Sequence, residues 1–139
     1  MKKKAKPVSA PCPCGNPLPY EACCAIWHRH YEQAQGQPPD ATAEGLMRSR
    51  YTAYVMGLES YLLATWAPQT RPESASANSP GLKWLGLRVV TSHTDATGQQ
   101  ATVEFVARSR HDGKGQRHHE VSRFERIDGY WCYVDGDLL

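Results

Sequence analysis

The chain has 139 residues, 40% hydrophobic and 22% charged, with 16 basic against 14 acidic side chains and a net charge of +2. That length fits one domain with a small appendage, whose core can bury about two thirds of the surface the unfolded chain exposes. So balanced a charge excludes a nucleic-acid groove built on net charge, and no apolar run approaches the ~20 residues a membrane helix needs.

Residues 1–10 open with Lys2, Lys3 and Lys4, and no apolar stretch follows them. They read as a solvated, disordered basic tail rather than a signal peptide, so the expected compartment is the cytoplasm. Residues 11–32 hold four of the five cysteines. Residues 33–42 read as a linker, because Gly36, Pro38 and Pro39 break any regular element.

The spacing then predicts a helix. Thr42 is its N-cap, and Leu46, Met47, Tyr51, Tyr54, Val55 and Leu58 fall at steps of three and four on one face. Gly57 ends or bends it, and Tyr61 to Trp66 form a second short helix stopped by Pro68. Residues 67–82 are rich in Pro, Ser and Ala without periodicity, which predicts a long loop or lid.

From residue 83 the texture is that of strands: Trp84–His93, Ala101–Arg110, Arg117–Ile127 and Tyr130–Asp135, with a loop at His111–Gln116. Asp128-Gly129 is a type I′ hairpin signal. A two-residue turn there pairs Ile127 with Tyr130, Arg126 with Trp131 and Phe124 with Tyr133, and places Phe124, Trp131 and Tyr133 on one face. Val103, Phe105 and Ala107 extend that face, which is expected to pack on the helices. Helices followed by a run of antiparallel strands make an α+β domain over residues 43–139.

The chemistry-bearing pattern is PCPCGNPLPYEACC, with Cys12, Cys14, Cys23 and Cys24 spaced C-x-C-x8-C-C. Four thiols so close together suit either one tetrahedral metal ion or two disulfides, and a reducing compartment favours metal. Gly15 allows the tight backbone path around the ion, and His28 is an alternative ligand to Cys24. Four ligands close the coordination sphere, which makes zinc a structural cofactor and its binding a source of folding energy.

These cysteines resemble the SEC-C motif, a short zinc-binding module found in the protein-export ATPase and in small bacterial proteins. The segments LMRSRYTAYVMGLESYL, WLGLRVV, VEFVARSR, HEVSRFER and DGYWCYVDGD resemble the YchJ-like family, whose central domain is nuclear transport factor 2-like. The resemblance implies a cone of helices on a curved antiparallel sheet behind a small zinc-binding SEC-C module. It implies zinc at Cys12, Cys14, Cys23 and Cys24, in a bacterial family without a settled activity. In the export ATPase the module docks on an acidic chaperone surface and on ribosomes, which points to a protein or ribosomal partner. Here Asn16-Pro17-Leu18-Pro19 and Glu21-Ala22 stand where basic residues are usual. The sequence carries no second copy of the motif before Leu139, so a single clamp is expected.

Two functions follow. In the first, a non-catalytic adaptor docks through its metal module with Leu18, Tyr20, Trp27 and Tyr31 as contacts. In the second, the cone is a small enzyme or ligand-binding pocket around Glu120, with Arg48, Arg50, Ser122, Phe124 and Trp131. The second needs an open cavity at Glu120 without a paired arginine, whereas Trp66, Trp84, Phe124 and Trp131 filling the cone would exclude it. Pairing of Glu120 with Arg48 or Arg50 is the expectation, since buried charges are paired. His118 and His119 point to opposite faces of a strand and do not share an ion. Arg123 is expected to pair with Glu104 on the outer face. Cys132 is a lone thiol acting as a small apolar residue. No Ser-His-Asp order, phosphate loop or nucleotide fingerprint is present. Expected partners are thus a protein or ribosome, with neither membrane nor nucleic acid, and a second copy through Val106, Val121 and Val134 on the open sheet face.

Overall fold

The computed structural model describes residues 10–139, so the basic tail expected around Lys2–Lys4 lies outside the described residues. A single 3-10 turn at Tyr20–Ala22 leads into α1, Cys24–Glu32. Thr42 starts α2, Ala43–Met56: its backbone is extended and its side-chain oxygen accepts from the Gly45 N–H at 3.0 Å. Gly57 ends α2 in the left-handed conformation, and α3 follows at Glu59–Ala64.

The segment after α3 is strapped down rather than a free lid. The Glu59 carboxylate accepts from the Ala75 N–H at 2.7 Å, the Ala77 N–H at 3.1 Å and the Ser74 hydroxyl at 3.2 Å. Ala75 and Ala77 are buried in a cluster with Ala53, Tyr61 and Leu62.

Four strands follow: β1 Leu82–Thr94, β2 Gln100–His111, β3 Lys114–Ile127 and β4 Tyr130–Leu138. They form an antiparallel meander in the order β1-β2-β3-β4. The hairpin at Asp128-Gly129 pairs Phe124 with Tyr133 and Arg126 with Trp131, as expected. The loop expected at His111–Gln116 is instead a second tight hairpin, pairing His111 with Lys114 across Asp112-Gly113. Its φ values of 49° and 83° match the 52° and 85° of Asp128-Gly129. Both residues of a type I′ turn need positive φ, which Asp-Gly supplies. The solvated end of this hairpin lacks the apolar alternation that marks a strand. β4 likewise continues past Asp135 to Leu138.

Register shifts at Trp84/Gly86, Val89/Thr91 and Arg123/Phe124 bend the sheet. The inner face carries Ala101, Val103, Phe105, Ala107, Phe124 and Trp131, all buried, and α2 packs against β1, β2 and β4. The Ala67 N–H donates to the Tyr133 carbonyl at 2.7 Å, and the Tyr133 N–H donates to the Thr65 carbonyl at 2.9 Å, so this segment covers the edge of β4. The linker is pinned as well. Gln37 donates to the Trp131 carbonyl at 2.8 Å and accepts its N–H at 3.0 Å, while the Trp131 indole donates to the Ala41 carbonyl at 3.1 Å.

Two outer-face expectations change. Arg123 pairs with Asp135 and Asp137 on β4, not with Glu104, which binds His119 at 2.8 Å instead. Two carboxylates on the neighbouring strand outcompete one. Val106, expected on an open face, is buried with 4% of its surface exposed.

Thr42→Ala removes the cap of α2. The expected cost is about 1 kcal/mol, measured as a lower urea midpoint with an unchanged slope.

Candidate metal centre and cone pocket

The four N-terminal cysteines reach one point from two directions. Residues 11–19 fold back on themselves: Pro11 bridges Pro19, the Cys12 N–H donates to the Leu18 carbonyl at 2.7 Å, and the Gly15 N–H donates to the Cys12 carbonyl at 3.1 Å. Gly15 has a φ of 91°, and a Cβ there would stand 2.7 Å from the Leu87 carbonyl oxygen of β1, so only glycine fits. Cys12 and Cys14 come from this loop, whereas Cys23 and Cys24 stand at the start of α1.

All four sulfur atoms lie within 4.8 Å of one another, with Cys14 to Cys23 at 3.6 Å and Cys23 to Cys24 at 4.0 Å. Metal–sulfur bonds of ~2.3 Å in a tetrahedron put ligand sulfurs about 3.8 Å apart. The donor set therefore fits one tetrahedral ion. All five cysteines of the chain are free thiols. Cys12, Cys14 and Cys24 are buried, and the Thr52 hydroxyl of α2 donates to the Cys24 sulfur at 3.2 Å. Arg48 secures the loop from outside, donating to the Cys14 carbonyl at 2.8 Å and to Glu44 at 3.0 Å.

The thiols share charge unequally. Hydrogen bonding from Cys24, assisted by the Asn16 N–H, draws the Cys14 thiol down to about 5 against the resistance of burial. Burial and the neighbouring Cys14 push Cys23 up to about 12, and Cys14 together with burial raises Cys24 further still. One negative charge is easily held among these sulfurs and each further one costs more. A bound cation reverses that order by stabilising every thiolate.

His28, the alternative ligand, is occupied elsewhere. It is buried, donates from Nε2 to the Ser49 carbonyl at 2.9 Å, and takes the Tyr20 hydroxyl at Nδ1 at 2.8 Å. Burial lowers its pKa, which keeps the ring neutral. The ring is a strut between the metal module and α2. The aromatic contacts proposed for docking also face inward: Tyr20 bonds His28, Trp27 lies over Gly45, and Tyr31 packs edge-on against Tyr61 at 5.5 Å. Of those four contacts Leu18 alone is exposed.

A second site lies inside the cone, where a cavity of about 290 Å³ separates α2 and Trp66 from the sheet. Arg50, Glu120, Ser122 and Phe124 line it, while Arg48 and Trp131 do not. Arg48 belongs to the metal loop, and Trp131 is held under the linker by Gln37 and Ala41. Glu120 pairs with no arginine. It bonds His118 at 2.9 Å, the Tyr133 hydroxyl at 3.2 Å and the Ser122 hydroxyl. Burial acts to raise the Glu120 carboxyl, but the bonds from His118, Ser122 and Tyr133 outweigh it and hold the group below its usual range. The same bond raises His118 above its usual value against the opposing effect of burial.

His118, Trp66 and Tyr133 also line the cavity; the sequence reading assigned Trp66 and Tyr133 only packing roles and set His118 aside as a metal ligand. The signal for His118 was present, since it stands two residues from Glu120 on one strand and so shares its face.

Residues 42–136 match the family described as YchJ, middle NTF2-like domain. A UPF0225 protein of Bordetella parapertussis is 48% identical over 135 residues, spanning 96% of this chain and 98% of its own. A UPF0225 protein of Streptomyces coelicolor is 46% identical over 130 residues, spanning 93% and 96%. Two solved SEC-C motif containing proteins have similar structures. The one from Rhodopseudomonas palustris is 32% identical with a TM-score of 0.78, covering 93% of this chain and 98% of its own. The one from Psychrobacter arcticus is 29% identical with a TM-score of 0.75, covering 90% and 80%.

Because the cysteines share one apolar cluster with Leu46, Val103 and Phe124, a metal held by them would stabilise the whole domain, and its removal would destabilise it. Thermal melting with and without a strong chelator should show one cooperative transition moving down, and Cys14→Ser should move it alike. A cone transition that stays in place would contradict this coupling.

The His118–Glu120 pair has a defined pH window. His118 is raised, so its contribution is complete below 6.5 and fades as pH climbs through its folded value. Glu120 is lowered, so its contribution is complete above 4.5 and fades as pH falls through its folded value. The pair thus stabilises most between 4.5 and 6.5. In Glu120→Gln, an NMR titration of His118 should show its pKa falling towards the ordinary value.

Proposed function

We propose that this chain, which belongs to the YchJ-like family, is a zinc-stapled protein that binds a small ligand in its cone. Zinc is the fitting ion because four thiolates close a tetrahedron, and a closed site with no position for substrate is structural. Cys12, Cys14, Cys23 and Cys24 would hold it, and a reducing cytoplasm would keep them available. Elemental analysis of the purified protein separates zinc from iron, the other ion suited to four sulfurs.

The observation that carries the reading is the state of Glu120. It lines an open cavity, its partner is His118, and no arginine neutralises it. An apolar cavity with a few convergent polar groups is the usual form of a ligand site. The inward packing of Tyr20, Trp27 and Tyr31 supports this reading over an adaptor that docks its metal module on a protein or ribosome. The His118–Glu120 pair could also move a proton to or from a bound ligand, which would make the cone an enzyme.

Ala107 is buried and lines the cavity. Ala107→Phe should fill the space. In wild type, NMR titration with small aromatic fragments should move signals clustered around Glu120, Ser122 and Phe124. Those shifts should vanish in Ala107→Phe while signals near Gly15 stay unmoved. Shifts scattered over the surface of the wild type would refute a cone site whatever the variant does.

A further inference from the structure

Arg50 holds a buried charge that nothing in the fold answers. It is 5% exposed and lines the cone cavity. Its Nη1 donates to the Leu62 carbonyl at 2.7 Å and the Thr65 hydroxyl at 2.6 Å. Two rings lie against it, with the guanidinium carbon 5.0 Å from the Trp66 centroid and 4.8 Å from that of Tyr133, the rings themselves standing edge-on to each other at 5.0 Å. Among the described residues no carboxylate pairs with it, and the Nε–Nη2 edge has no acceptor. A guanidinium stays charged in proteins, and a buried charge without a counter-ion is costly. Cation–π contact with the two rings offsets part of that cost, and the two bonds from Nη1 fix the orientation of the fork.

A second donor stands beside it. Trp66 also lines the cavity, and its indole N–H is buried with no acceptor. Two side chains of one wall thus carry hydrogen-bond donors that the protein leaves unanswered, against the general rule for buried polar groups.

Resting on the cone-binding reading, we propose that the pocket takes a small monocarboxylate with a flat apolar body, and that Arg50 holds the carboxylate. The Nε–Nη2 edge presents two parallel N–H groups, the geometry that a carboxylate receives in bidentate fashion. Tyr51, Tyr54, Trp84, Phe105 and Phe124 supply aromatic walls for the body. A volume of about 290 Å³ equals roughly ten waters' share of the liquid, which suits a molecule of benzoate or phenylacetate size. Tyr133 spans the two charged groups, with its ring on Arg50 and its hydroxyl on Glu120 at 3.2 Å. A second carboxylate would bring another negative charge into the cavity that Glu120 lines, so dianions are disfavoured.

The test is calorimetric and NMR titration of the full metal-loaded chain with benzoate, its neutral counterpart benzamide, and the dianion phthalate. Benzoate is expected to bind at least tenfold more tightly than either. Arg50→Gln should abolish the preference for benzoate over benzamide while leaving the metal content intact. Arg50→Lys keeps a charge without the fork and should restore only part of it. Because Arg50 also anchors α3, the wild-type comparison decides the matter if the variants do not fold. Equal binding of benzoate and benzamide at the lining residues would overturn the carboxylate assignment and leave the cone site standing. No shift at the lining residues with any probe would overturn both.

Discussion

The Thr52 hydroxyl on the Cys24 sulfur joins the two halves of this protein, and the rest of the architecture depends on what that contact represents. The metal loop is not a bead on a tether. Cys12, Cys14 and Cys24 belong to the same buried cluster as Leu46, Val103, Phe105 and Phe124. His28 adds a second strut to α2 through the Ser49 carbonyl, and the linker is clamped over Trp131. Metal binding energy, which in small modules is folding energy, would here be available to the whole domain.

That arrangement asks an unusual amount of one helix. Gly45, Arg48, Ser49 and Thr52 face the metal module, while Met47, Arg50, Tyr51 and Tyr54 face the cone cavity. Both sets follow helical spacing, so α2 is buried on two sides with different chemistry on each. The metal side is polar and serves sulfur and backbone. The cavity side is aromatic and carries the buried guanidinium. A metal that holds the first side in place therefore also holds the second. An ion held by the four cysteines would thereby also steady the wall of the cavity.

Much of this was legible along the chain, and for definite reasons. Period-two alternation and one Asp-Gly turn set the register of Phe124 against Tyr133. The same alternation placed Glu120 and Ser122 on the inner face, because a strand leaves no choice once one neighbour is assigned. Thr42 and Gly57 bounded α2 through local backbone chemistry. The hairpin at Asp112-Gly113 was missed because its strands project into solvent, where nothing enforces an apolar pattern. Arg123 was paired with the wrong partner for a related reason: salt bridges on an open face are chosen among several neighbours at little energetic difference.

Side-chain partnership is where local rules run out. Whether Glu120 would meet Arg50 or His118 depends on how α2 sits over the sheet, and that placement is fixed by contacts between residues far apart in the chain, such as that of Thr52 with Cys24 at a separation of 28 and that of Cys12 with Thr52 at 40. Spacing brought the four cysteines together as either a metal set or two disulfides, since side chains so close in sequence must be close in space, and the expected reducing compartment favoured metal. The fold class followed from element order and periodicity, which are local properties summed over the chain. The burial of Arg50 against Trp66 and Tyr133, the neutral strut made by His28 and the open cavity beside Glu120 were decided by packing alone. They join residues from separate elements, and no local pattern records how those elements meet.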